Sequence, residues 1–238
     1  MKADSFETSP EYWDSVGAEW HARPQRAWRV VSDRVNVRLI DRWFGTRTGG
    51  KVLKTDLFDE VVGGGLVDRL ATSFDQVVGI DISPAVVEVV RHRHPHLQAE
   101  VADVRELPFA HGSFSAVVSN STLDHFDRTA DIERALGELH RVLAPGGRLV
   151  VLEFTVPPNP LMRWGYMLYF NRLLPVIGRI VSGHPWAYTY LPESMGRFVT
   201  VREFGERLRN TGFDADIRVE SQTLGIAHLV CARTVTTR

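Results

Sequence analysis

Hydrophobic positions along the chain follow two alternating rhythms. Aliphatic and β-branched runs at residues 52–58, 76–81, 97–102, 115–119 and 148–154 have the length and composition of buried strands. Between them, three- and four-residue apolar steps predict helices at 66–72, 84–92 and 131–143. Strand and helix in alternation imply right-handed crossovers and a parallel sheet with helices on both faces. Ser83-Pro84 reads as a capping serine and first-turn proline, and Ala144-Pro145-Gly146-Gly147 as a helix stop and a turn into the next strand.

The flanks follow other patterns. Trp13, Val16 and Trp20, then Trp28, Val31, Val35, Leu39 and Trp43, have helical spacing, and Pro24 divides them into two helices suited to cap a crevice or to pack on the sheet edge. Beyond Phe154, residues 161–182 are rich in Leu, Met, Phe, Tyr and Trp. Arg163, Arg172, Pro175 and Arg179 interrupt them, so the segment is no membrane span of about 20 apolar residues. Thr200-Val201-Arg202-Glu203 is a capping box for a helix reaching Asn210, and strands follow at 216–220 and 227–232. The expected organisation is one domain over 1–238. It comprises a helical cap (1–47), a ligand-binding core (48–156), a helical insertion (157–200) and a C-terminal helix with a strand hairpin (201–238).

Composition narrows the partners. Lys and Arg number 28 against 29 Asp and Glu, so no global field draws the chain to nucleic acid or an anionic membrane. The single cysteine, Cys231, lies in an apolar run; it excludes an intrachain disulfide framework, suits a reducing compartment and is expected to be buried. The first residues, MKADSFETSPEYW, lack the apolar stretch of a signal peptide, so a cytoplasmic location is expected.

Candidate chemistry gathers at strand ends. Asp81 closes the second strand 18 positions after Gly63, close to the ~20 at which an acid accepts hydrogen bonds from a ribose in a dinucleotide fold. That spacing serves NAD and other adenosine cofactors alike. Asp103 and Val104 follow the third strand, where a carboxylate and a backbone N–H suit an adenine edge. Asn120, Ser121, Asp124 and His125 follow the fourth. His92, His94 and His96 surround Pro95 at a helix end, where cations are favoured; with no cysteine or carboxylate cluster nearby in sequence, no metal is expected.

Three stretches, VVGIDISPAVVEVVR, ADVRELPFAHGSFSAVVSNSTLDHF and LGELHRVLAPGGRLVVLEF, in this order and spacing, resemble the motifs of class I S-adenosylmethionine-dependent methyltransferases. The later segments NRLLPVIGRIVSGHPWAYTYLPESMGRF, FGERLRNTGF and TLGIAHLVCAR are similar to the subfamily that C-methylates ubiquinone and menaquinone precursors. The resemblance implies a Rossmann-like seven-stranded α/β sheet with an antiparallel last strand, and S-adenosylmethionine as cofactor. By the same resemblance, Asp81 would hold the ribose hydroxyls, Ile82 would flank the adenine, Asp103 would bind its amino group, and the Asn120–Ser121 region would face the methionine part.

The acceptor expected from this resemblance is small and aromatic or quinone-like, with carbon methylation favoured. For such a ring, a base that removes a phenolic proton helps; His125, His184, Tyr188, Tyr190 and Glu193 are the candidates. The insertion's apolar residues Trp164, Met167, Phe170, Leu173 and Leu174 suit a hydrophobic acceptor, peripheral membrane contact, a homodimer interface or plain core.

One stretch departs from the pattern. The family's usual acid-x-Gly-x-Gly-x-Gly lets backbone pass close under the cofactor. Here Asp56 stands at the acid position, Phe58, Asp59 and Glu60 stand where glycines belong, and glycines arrive only at Gly63, Gly64 and Gly65. Alignment on Lys54 loses the acid instead. Open alternatives are an O- or N-methyltransferase of secondary metabolism, a cofactor-binding protein of this fold without methyl transfer, and an NAD-dependent oxidoreductase, for which no catalytic Tyr/Lys or His/Asp arrangement is visible near the fourth strand.

Overall fold

The structure is a computed structural model that describes residues 9–22, 26–44, 49–126, 128–154, 160–168, 172, 200–213, 216–222 and 227–235. Its strands are β1 (Lys51–Lys54), β2 (Gln76–Asp81), β3 (Gln98–Val101), β4 (Phe114–Asn120), β5 (Leu143–Phe154), β6 (Arg218–Gln222) and β7 (Ala227–Arg233). They form one sheet in the order β3-β2-β1-β4-β5-β7-β6. Strands β1 to β5 pair in parallel, and β7 runs antiparallel to both β5 and β6.

Alternation along each strand sends neighbouring residues to opposite faces and so builds two cores. Leu53, Val117 and Leu149 face one side, where α6 (Thr129–Val142) adds Leu136 and Leu139 and the C-terminal helix Val201–Asn210 adds Phe204 and Leu208. Val52, Val118 and Val150 face the other side. There α2 (Arg26–Phe44), α4 (Val67–Ser73) and α5 (Pro84–Arg93) contribute Ile40, Leu70 and Val87.

The chain steps outward from β1 to β2 and β3, then returns to place β4 on the other side of β1. This reversal splays the loops after β1 and β4 apart and opens a crevice at the carboxyl ends of the strands. Ser83 caps α5 by accepting from Val86 N at 3.1 Å, and Thr200 forms the expected capping box with Glu203.

Three boundaries differ most from expectation. The run 52–58 does not continue as a strand past Lys54. Asp56 Oδ1 accepts from Phe58 N (3.2 Å) and Asp81 Oδ2 accepts from Leu57 N (3.0 Å), which turns the chain into the short helix α3 (Phe58–Val62). Strand β5 starts earlier, at Leu143 opposite Phe114. Pairing resumes only at Arg148 opposite Ala116, so the Pro-Gly-Gly segment is an irregularity within the strand, with Gly146 at φ 73°. The strand expected at 216–220 lies at 218–222.

Among the described residues no helix is long and apolar enough to cross a membrane. Cys231 is buried in β7, and burial pushes its thiol up to about 11, which makes it an inert core group.

Candidate active site

The crevice is lined by the ends of β1 to β4 and by α1 (Pro10–Ala22), which lies above them. On the β2–β3 side Asp81, Ile82, Val86, Ala102, Asp103 and Val104 form its wall; on the β1–β4 side Thr55, Asp56, Phe58, Ser121, Thr122, His125 and Phe126 do so. Thr55 Oγ1 lies 3.0 Å from Thr122 Oγ1 and ties the two loops together. Ser121 sits at φ 49°, a left-handed conformation that L-residues adopt at a cost and that is common at functional turns.

Trp13 closes the top. Its ring meets His125 edge-on at 4.6 Å and Phe58 at 6.2 Å, while Asp14 anchors the helix to the Ser83 hydroxyl and, at 3.3 Å, to Ala85 N. What remains between these side chains is a cavity of about 60 Å³.

Asp81 is held for recognition. Its carboxylate accepts from Ser83 N (2.9 Å) and Leu57 N (3.0 Å) and remains 8% exposed. Burial raises the carboxyl to about 6 against the pull of those two N–H groups. Asp103 differs, because Arg105 grips both its oxygens with contacts of 2.6–3.0 Å. Although burial opposes ionisation, that guanidinium holds the carboxyl below its usual range.

Beneath Phe58 lies a buried ionic cluster that the sequence reading missed. Lys54 is fully buried, with Nζ 2.9 Å from Glu60 Oε2, 3.9 Å from Asp56 Oδ1 and bonded to the Asp56 carbonyl. Burial alone would lower the ammonium; Glu60, Asp56 and Asp59 hold it above its usual value. Asp56 is raised too, its carboxyl held well above the normal range by burial despite Lys54.

Gly63 and Gly64 do not line the crevice. Gly63 N caps α3 on the Asp59 carbonyl, and Gly64 N donates to Asp33 of α2 at 2.8 Å. Asn120 is buried behind the wall, its Nδ2 on Asp59 Oδ2 at 3.0 Å and its Oδ1 without a hydrogen-bond partner among the described residues.

A second group of acids stands behind His125. Its Nε2 is 3.7 Å from Asp124 Oδ1, and the charge of Asp124 acts on Glu153 at the end of β5. Glu153 accepts from Thr122 N (3.1 Å) and Leu123 N (2.9 Å). Burial first, and the charge of Asp124 second, push its carboxyl well up. Sequence offered a signal for Glu153, an acid closing an apolar strand. His184, Tyr188, Tyr190 and Glu193 lie outside the described residues.

S-Adenosylmethionine fits this crevice at its adenosyl end. The Asp81 carboxylate closes β2 at the crevice, and apolar Ile82, Val86 and Val104 line the adjoining wall. Fold and crevice together define a class I S-adenosylmethionine-dependent methyltransferase. Residues 25–233 match the model of the ubiE/COQ5 methyltransferase family, and the chain belongs to that family.

Among curated relatives, the chain is 42% identical over 156 residues to a demethylmenaquinone methyltransferase of Thermus thermophilus, covering 64% of this chain and 69% of that one. It is 39% identical to one of Streptomyces avermitilis, covering 76% and 75%. The match to the ubiquinone/menaquinone biosynthesis C-methyltransferase UbiE of Cereibacter sphaeroides, at 40% identity, spans 54% of this chain and only 50% of that protein. Solved structures share the fold. The N-methyltransferase NodS of Bradyrhizobium japonicum, in complex with S-adenosyl-L-homocysteine, has a TM-score of 0.58 at 14% identity over 84% of this chain and 86% of that one. The [4+2]-cyclase SpnF has a TM-score of 0.67 at 17% identity, covering 99% and 98%.

Proposed function

We propose that the protein methylates a ring carbon of a small, hydrophobic, quinone-like acceptor. The observation that carries the reading is a crevice with the Asp81 carboxylate at the end of β2 and His125 beside Asp124 across from it, in a chain whose relatives are named for demethylmenaquinone and ubiquinone methylation. When bound, the cofactor supplies an electrophilic methyl on a sulfonium.

The chain's own residues do the rest. Asp81 accepts the ribose hydroxyls, with Ile82 and Val104 flanking the base and Asp103 at its edge. His125 takes the proton of a ring hydroxyl, which raises electron density at the neighbouring carbon, and Asp124 stands behind its imidazole. Trp13 and Phe58 exclude water and leave reactive atoms close together. His184, Tyr188, Tyr190 and Glu193 are proposed as further acceptor-side groups.

An apolar acceptor agrees with α7 (Pro160–Leu168), whose Leu161, Trp164 and Leu168 are exposed. The test is incubation with S-adenosylmethionine and a short-chain demethylmenaquinol, with products read by mass spectrometry. A ring-methylated product is expected. An O-methylated product, or S-adenosylhomocysteine without a methylated quinol, would overturn carbon transfer to this acceptor.

A further inference from the structure

The glycine turn beside the crevice serves the protein's own anion. Glu60 is fully buried, and its Oε1 accepts from Leu66 N (2.8 Å) and Val67 N (3.3 Å), the first N–H groups of α4, whose N-cap residue supplies no side-chain cap. Its Oε2 faces Lys54 at 2.9 Å. Gly65 wraps this carboxylate at φ +60°, so closely that a Cβ there would stand 2.3 Å from Glu60 Oε1. In nucleotide-binding folds a helix N-terminus beyond a glycine turn receives an anion of the ligand. Here that place is taken from inside, and a buried lysine completes its neutralisation.

On the crevice side of the same loop, Phe58 and Trp13 fill the space over the end of β1. The wall that remains built for a ligand is the adenosine wall, from Asp81 to Val104.

From this we infer that the crevice grips its cofactor by the adenosine half, and that Phe58 and the Lys54–Glu60 pair leave the methionine half almost no binding energy. The inference rests on the crevice being the adenosyl cofactor site. It makes the protein a receptor for adenine nucleosides at large, tolerant of what the 5′ carbon carries.

Calorimetric titration of the intact chain with adenosine, 5′-methylthioadenosine, S-adenosylhomocysteine and S-adenosylmethionine tests it. The four dissociation constants are expected to agree within about tenfold. A preference for S-adenosylhomocysteine over adenosine beyond about tenfold overturns the inference while leaving the cofactor reading intact. No binding by any of the four at about 5 mM overturns the cofactor reading itself. In Phe58→Ala, whose fold is checked by its melting temperature, the preference for S-adenosylhomocysteine should rise at least about fivefold; an unchanged ratio overturns the inference that Phe58 withholds binding from the methionine half.

A second inference rests on other residues. Asp68 of α4 meets His94 and His96, with their ligand atoms all within 4.8 Å. Asp68 Oδ1 is 3.4 Å from His94 Nδ1 and 3.5 Å from His96 Nε2. Both separations exceed ordinary hydrogen bonds of about 2.7–3.2 Å. They match the edge, roughly 3.3–3.5 Å, of a tetrahedron whose corners lie about 2.0–2.1 Å from a metal.

The geometry points to a surface site for a zinc-like divalent ion, with two imidazoles and a carboxylate as ligands and the fourth position open. The ion would staple α4 to the turn between α5 and β3. Untagged protein titrated with zinc should bind one equivalent with a dissociation constant below about 10 μM. Asp68→Asn and His96→Ala, both at exposed positions, should each weaken binding more than about tenfold at unchanged metal-free melting temperature. Weaker binding in the native chain, or equal binding in either variant, overturns the site.

Discussion

Asp81 concentrates the crevice's chemistry in one carboxyl. Asp81→Ala should weaken S-adenosylhomocysteine binding by about 1–3 kcal/mol, the scale of charge-assisted hydrogen bonds, as read by calorimetry. Because burial lifts the group to about 6, a proton competes with ribose hydroxyls below that pH. Affinity should therefore climb from pH 5 to about 6.5 and then level off, and Asp81→Asn should flatten this limb. For folding the sign is reversed: the raised carboxyl binds its proton more tightly when folded, so Asp81's contribution to stability is full at low pH and is lost as pH rises through about 6. Asp81 and Asp103 were legible in the sequence because acids that close apolar strands stand out there. Lys54 and Glu60 were not, since a buried ion pair is recognised only when a turn folds one residue over the other. Removing either partner should cost about 3–5 kcal/mol in a urea titration, and replacing both, as Lys54→Met with Glu60→Gln, should cost less than the sum.

At the scale of elements, the glycine turn divides into unlike positions. Gly65→Ala forces a left-handed φ on a residue with a Cβ and drives that Cβ into Glu60, whereas a Cβ at Gly64 would sit 3.5 Å from Asp33 Oδ2, in ordinary contact. Equilibrium unfolding should show a loss of more than about 2 kcal/mol for Gly65→Ala and less than about 1 kcal/mol for Gly64→Ala. Equal losses would mean that the turn is not built around Glu60. The capping signals at Ser83 and Thr200 were readable because a cap needs only its own neighbours in sequence. The end of β1 was misread for the opposite reason. Leu57 and Phe58 prolong an apolar run, yet a carboxylate 24 residues away takes the Leu57 N–H and bends the chain out of the sheet. The histidines around Pro95 were likewise read without Asp68, which the fold brings from α4.

Across the whole molecule, strand–helix alternation was enough to expect the parallel part of the sheet, while its order came from contacts between distant segments. The order also places the last strand in the chain, β7, inside the sheet between β5 and β6. Every earlier strand is synthesised before the one that joins β6 to the rest. Until residues 227–233 emerge, β5 presents a long unpaired edge carrying Leu149, Val150 and Val151, the kind of edge that recruits other chains. Emergence of residues 227–233, rather than completion of the ligand crevice, is then the step that covers this edge.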